Sequence, residues 1–116
     1  MLSALIVDDE VDIGLMVSLF LKKAQVETNY CETIGAARLE IAEKSFDVFF
    51  LDLNLPDGTG FDLVPQIRAK NPDAKIIIIS AYDGLVEQKR ADEFNVNAFI
   101  RKPFSKLDIL QSIQLA

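Results

Sequence analysis

Four apolar runs in this chain each stop abruptly at a residue that carries charge or a hydroxyl. Leu5-Ile6-Val7 gives way to Asp8-Asp9, Val48-Phe49-Phe50-Leu51 to Asp52, Ile76-Ile77-Ile78-Ile79 to Ser80, and Ala98-Phe99-Ile100 to Arg101-Lys102-Pro103. Unbroken apolar runs of this length suit strands buried on both faces. If the runs are parallel strands, Asp8, Asp9, Asp52, Ser80 and Lys102 all emerge along one edge of one sheet. That edge would gather three carboxylates, a hydroxyl and an amine.

Strands and helices alternate from end to end. Residues 2–7, 26–31, 47–51, 75–80 and 98–101 read as strands, and 11–24, 34–44, 61–70, 85–94 and 106–115 as helices. Repeated βα units imply a parallel sheet with helices on both faces, an α/β doubly wound (βα)5 arrangement of the flavodoxin-like kind. The second strand is mixed in polarity and the fifth is short, so both belong at edges. With right-handed crossovers the expected strand order is 2-1-3-4-5. In that order the ligand crevice lies at the carboxyl ends of the first and third strands, where Asp8, Asp9 and Asp52 stand. Thr33 and Ser105 are expected N-caps, Ser105 with Asp108 at capping-box spacing. Asn95 is expected to close the fourth helix in the left-handed conformation. Gly58 and Gly60 are expected to allow a tight loop after Asp52.

The 116 residues suit one domain, 1–116, and half of them are hydrophobic, enough for a packed core. No apolar stretch is long enough to span a bilayer, and the start lacks a signal-peptide pattern. A single cysteine, Cys31, precludes an internal disulfide and fits a reducing, cytoplasmic setting. There is no histidine, which removes imidazole acid–base chemistry and disfavours a zinc site. The formal charge of -6 argues against nucleic-acid binding by this domain and suits a cation site.

Crowding Asp8, Asp9 and Asp52 beside one Lys102 is unfavourable unless a cation joins them. A hard dication such as Mg2+, or Mn2+, takes oxygen ligands, typically only one or two protein carboxylates plus phosphate oxygens and waters. Asp9 and Asp52 suit direct ligation, Asp8 ligation through water, and the backbone carbonyl of Asn54 completes the set. The Asp52 carboxylate is then a nucleophile for phosphorus, giving an aspartyl phosphate. Lys102 would neutralise one phosphoryl oxygen and Ser80 would donate to another. Each residue alone also has an ordinary reading: Asp8-Asp9-Glu10 as a solvated helix start, Asp52 as a turn cap, Ser80 as a strand-end hydroxyl. Their coincidence at strand carboxyl ends favours the site.

The segments Asp8-Asp9-Glu10, Leu51-Asp52-Leu53-Asn54-Leu55-Pro56-Asp57-Gly58, Ile79-Ser80-Ala81 and Arg101-Lys102-Pro103-Phe104 together resemble the response-regulator receiver domain of two-component signalling. The resemblance covers essentially the whole chain. It implies that Asp52 accepts a phosphoryl group from a phosphohistidine on a sensor histidine kinase or a histidine phosphotransfer protein. It further implies a switch in which Ser80 turns toward the phosphoryl group and Phe99 swings inward, against a plain reading of Phe99 as permanent core. It also implies a cis peptide before Pro103 and a path for hydrolytic water flanked by Asn54 and Tyr82, with Tyr82 expected to shield the acyl phosphate.

Two surfaces suggest partners. On the first helix Ile13, Met16, Val17 and Phe20 are expected to pack on the sheet. Val11, Leu15 and Leu19 recur on roughly the opposite face, either as a docking stripe for the phosphodonor or as scattered surface residues. The fourth helix is poor in apolar residues; with the fifth strand it is the expected output surface, toward an effector domain or a homodimer. The alternative function is an interaction module on the same fold, never phosphorylated. A flavodoxin-type carrier would want a Ser/Thr-Gly-rich loop where this chain has acids. An aspartate phosphohydrolase would want its nucleophile on the first strand and a second acid two residues on.

Overall fold

The computed structural model describes residues 2–81 and 84–114. The strands are β1 (Ser3–Val7), β2 (Glu27–Cys31), β3 (Val48–Asp52), β4 (Lys75–Ser80) and β5 (Ala98–Arg101). The helices are α1 (Val11–Lys23), α2 (Ile34–Glu43), α3 (Val64–Lys70), α4 (Leu85–Glu93) and α5 (Lys106–Ser112). The sheet has five strands in the order β2-β1-β3-β4-β5, each pair parallel. The order follows from the sequence: the three central strands carry unbroken apolar runs buried on both faces, and the mixed and short strands lie outside.

The two-residue period of a strand divides the core into two layers. Leu5, Val7, Phe49, Leu51, Ile76 and Ile78 face the layer that holds Ile34, Ala37 and Ile41 of α2, Val64 and Ile67 of α3, and Ala91 of α4. Ala4, Ile6, Val48, Phe50, Ile77 and Ile79 face the other layer, with Val17 and Leu21 of α1 and Ile109 of α5. Phe50, Leu5, Ile6 and Ile76 to Ile78 are wholly buried, each contributing roughly 2–3 kcal/mol of burial free energy.

The helix ends follow local chemistry. Thr33 Oγ1 accepts the Ala36 amide at 3.1 Å. Ser105 Oγ accepts the Asp108 amide at 3.1 Å while Asp108 Oδ2 accepts the Ser105 amide at 2.9 Å. Asn95 has φ 56°, and the Val96 amide reaches back to the Ala91 carbonyl at 3.2 Å, a left-handed closure of α4. Gln25 closes α1 the same way, with φ 64° and the Val26 amide on the Leu21 carbonyl at 3.0 Å. Nothing in its side chain announces that role.

Two expectations need correction. The helix expected over 61–70 is instead a 3-10 turn, Gly60–Leu63, followed by α3 from Val64. Pro65 explains it: a continuous α-helix would need a Pro65 amide hydrogen for the Phe61 carbonyl, and proline has none. The Val64 amide takes that carbonyl instead, one residue closer, which is 3-10 geometry. On α1 the expected face is the one that packs: Val17 is fully buried beside Gly14 and Leu21, half-buried Ile13 and Phe20 lie against the same core layer, and Met16 is half-buried. The third strand runs on to include Asp52, which pairs in register with Ile79. The last helix ends at Ser112; residue 115, its expected end, lies outside the described residues.

At the amino edge of the sheet two cations tie the layer of α2 and α3 together. Lys70 Nζ donates to the carbonyls of Ile41, Ala42 and Lys44 at 2.6, 3.1 and 2.9 Å, satisfying the open end of α2. Arg68 donates to Pro72, Ala74 and Asn95 carbonyls and to Asn97 Oδ1. The opposite, carboxyl edge is left for the site. Among the described residues no helix is long and apolar enough to cross a membrane.

Candidate functional site

The carboxyl ends of β1, β3, β4 and β5 bring Asp8, Asp52, Ser80 and Lys102 together, because each residue directly follows or closes an apolar strand. Asp8, Asp52 and Ser80 are buried. Lys102 reaches across the edge: its Nζ lies 3.0 Å from Asp8 Oδ2, 3.3 Å from Glu10 Oε1 and 3.4 Å from Asp52 Oδ2. Its own amide donates to the Ser80 carbonyl at 2.8 Å, which continues the β4–β5 ladder and fixes where the side chain starts. The Lys102–Pro103 peptide is cis.

Carboxylate oxygens of Asp8, Asp9, Glu10 and Asp52 all lie within 4.8 Å of one another. Four carboxylates against the one ammonium in contact with them leave a formal excess of three negative charges. The strain shows at Asp52, whose pKa is pushed up from 3.8 to about 6. Burial is the main cause and the neighbouring Asp8 charge adds to it; Lys102 and the Asn54 amide, 3.3 Å from Asp52 Oδ1, pull the other way. Burial alone would lower the Lys102 pKa, but Asp8, Asp52 and Glu10 more than reverse it and hold the ammonium charged. Asp8 Oδ1 accepts the Glu10 amide at 2.8 Å. Asp8 Oδ2 is fully buried and accepts no well-formed hydrogen bond; its 3.0 Å contact with Lys102 is an ion pair without hydrogen-bond geometry.

A cavity of about 160 Å³ opens onto this cluster, lined by Asp9, Glu10, Asp52, Asn54, Ala81 and Lys102. Asp8 and Ser80 lie beneath its wall. The donor set is all oxygen and carries excess negative charge, so it fits a hard dication. The loop after Asp52 is built on glycine. A Cβ at Gly60 would lie 2.4 Å from the Asp52 carbonyl oxygen and 2.9 Å from Leu51 Cβ. Gly58 has φ 153°, and a Cβ there would meet Asp62 Oδ2 at 2.7 Å. Asp57 then anchors the loop to the start of α2, accepting the Ile34 and Gly35 amides at 2.8 and 3.0 Å. Those two bonds hold the Asp57 carboxyl below the usual range.

A family model of the response regulator receiver domain matches residues 4–114. The chain belongs to that family. Receivers are the phosphorylation-dependent domains of two-component signalling, and this one is 35% identical over 100 residues to response regulator protein PilR of Pseudomonas aeruginosa, a match covering 86% of the receiver and 22% of PilR. Two solved structures share the fold closely. The non-phosphorylated HemR receiver domain from Leptospira biflexa is 31% identical with a TM-score of 0.89, covering 100% of this chain and 97% of that one. Chemotaxis protein CheY4 of Vibrio cholerae is 26% identical with a TM-score of 0.91, covering 98% and 97%. The receiver spans 22% and 61% of the first two curated relatives it matches.

The remaining site residues fall as follows. Phe99 is half-buried and packs against the α2–α3–α4 layer. Val11, Leu15 and Leu19 are exposed. Tyr82 lies outside the described residues. Sequence reasoning missed two participants. Glu10 pairs with Lys102, and Tyr30 donates its hydroxyl to the Asp8 carbonyl at 2.6 Å. The acidic run at residues 8–10 pointed to Glu10; Tyr30 carried no signal, since its reach depends on the β1–β2 register.

Proposed function

We propose that Asp52 is the phosphoacceptor of this receiver and that the acidic pocket works only with a divalent cation, Mg2+ or Mn2+, at hand. The observation that carries the reading is the crowding of four carboxylates around a single ammonium. Asp9, Asp52 and the Asn54 carbonyl would hold the cation, with Asp8 supporting it through water. When bound, the cation supplies charge neutralisation and alignment of the incoming phosphoryl group. The chain's own residues do the rest. One Asp52 oxygen attacks phosphorus, an O–P bond forms, and the N–P bond of a donor phosphohistidine breaks with its electron pair returning to the imidazole. Lys102 is already charged and within reach to neutralise a phosphoryl oxygen; Ser80 stands one strand over to donate to another. With a pKa of about 6, Asp52 is ionised, hence nucleophilic, at neutral pH.

The donor is a sensor histidine kinase or a histidine phosphotransfer protein, docking on Val11, Leu15 and Leu19. The output runs through Ser80 and Phe99 to the surface of α4 and β5, toward an effector domain or a second copy. The test is intact-mass measurement after incubation with a small acyl phosphate. The expected result is a gain of one phosphoryl group in the presence of Mg2+, absent with chelator and absent in Asp52→Asn. A gain that survives Asp52→Asn overturns Asp52 as the acceptor, and no gain in the parent favours an unphosphorylated interaction module.

A further inference from the structure

Edge strand β2 sends one side chain to the acidic loop. Tyr30 pairs with Ile6 in the parallel register of β1 and β2, and its hydroxyl donates to the Asp8 backbone carbonyl across 2.6 Å. The ring sits in a slot that exists because residue 14 is glycine. A Cβ there would fall 2.3 Å from Tyr30 Cε1 and 2.7 Å from Cδ1. Gly14 belongs to the first turn of α1, its amide on the Glu10 carbonyl at 3.1 Å, so the slot lies just behind the acidic run.

The bond completes the fixing of Asp8. Its amide donates to the Cys31 carbonyl at 3.1 Å, its Oδ1 accepts from Glu10, its Oδ2 faces Lys102, and its carbonyl accepts from Tyr30. That carbonyl belongs to the peptide plane joining Asp8 to Asp9. Pinning it sets the rotation of the plane, and so the direction in which the Asp9 side chain leaves the backbone. A phenylalanine would fill the slot equally well; only the hydroxyl reaches the carbonyl. Burial, with help from nearby acidic groups, pushes the Tyr30 pKa up to about 12, so the hydroxyl remains a donor throughout the physiological range.

We propose that Tyr30, seated against Gly14, is a positioning residue that holds the Asp8–Asp9 peptide in the orientation that keeps Asp9 at the cavity wall and Asp8 beneath it. The proposal rests on the cation-dependent reading above and deepens it: this receiver sets its cation site from the second strand as well as from the first and third. Supporting partners one bond removed from metal ligands typically matter by tenfold or more in affinity.

The experiment has two readouts on the metal-free and Mg2+-titrated protein. The variants are Tyr30→Phe, Gly14→Ala and Ile41→Val, the last a core control on the far side of the sheet. By calorimetry, Tyr30→Phe and Gly14→Ala should bind Mg2+ about tenfold more weakly than the parent, while Ile41→Val binds as the parent does. In the metal-free state, backbone amide NMR shifts of Asp9 and Glu10 should move in Tyr30→Phe and stay in place in Ile41→Val. Parent-like affinity with parent-like Asp9 shifts in Tyr30→Phe would overturn the proposal and leave Tyr30 as packing alone. A parent that binds no Mg2+ defeats the cation reading instead, and the amide shifts still decide whether Tyr30 orients the loop.

Discussion

Asp52 is held in conflict. Its side chain is buried beside Asp8, and its pKa of about 6, against an ordinary 3.8, means the folded metal-free protein grips a proton that the unfolded chain releases. The sign follows from linkage. The contribution is fully present below pH 3.8 and is lost as pH rises through about 6, at most about 3 kcal/mol in all. Asp57 works in the opposite direction, since its lowered pKa favours the fold above its unfolded value and that support fades on acidification. The two are separated by difference. Urea unfolding of the parent and of Asp52→Asn, metal-free and across pH 4 to 7, should show a stability loss in the parent that the variant lacks. Parallel curves would mean that Asp52 ionises freely in the fold. Asp8, Asp52, Ser80 and Lys102 were legible in sequence because each terminates an apolar run, and strand geometry does the rest. Tyr30 was not, because a hydroxyl one strand away is placed by register and by a glycine on a third element.

Elements differ in how firmly they are held. α2 is capped at its start by Thr33 and Asp57 and at its end by Lys70, whereas α4 has only Ala91 fully buried and leaves Leu85 and Val86 exposed. Phe94, just past α4, stacks on Phe61 at 5.1 Å, and Arg90 lies 4.9 Å over the same ring, so the helix is fastened mainly at its far end. Amide hydrogen exchange should therefore be fastest, among the helices, in the first two turns of α4, and slow in α2; the reverse order would remove the physical basis for an output surface there. At the end of α1, Gln25 carries a left-handed conformation that costs a side chain with a Cβ about 1 kcal/mol. Gln25→Gly should raise unfolding stability by about 0.5–1 kcal/mol in denaturant titration, with Mg2+ affinity unchanged. Helix existence was readable from apolar spacing and caps. The division of the third helix was not, because Pro65 near a helix start is ordinarily harmless; here the turn before it depends on Gly60 lying against the Asp52 backbone.

At the scale of the molecule, a two-layer core exists to hold one edge in place. The alternation of Ile76 to Ile79 between the α2–α3–α4 layer and the α1–α5 layer makes the sheet rigid on both faces. The cations Arg68 and Lys70 tie down the amino edge, which leaves unbalanced charge at the carboxyl edge. The sheet order was legible because strand polarity separates centre from edge. The −3 excess was only partly legible, since Glu10 joins it through a contact that sequence spacing does not fix. The most direct check is anomalous scattering from crystals soaked in Mn2+. A single strong peak should appear in the cavity, within about 2.2 Å of oxygens from Asp9, Asp52 and the Asn54 carbonyl. Carboxylates turned apart with no peak between them would contradict the account.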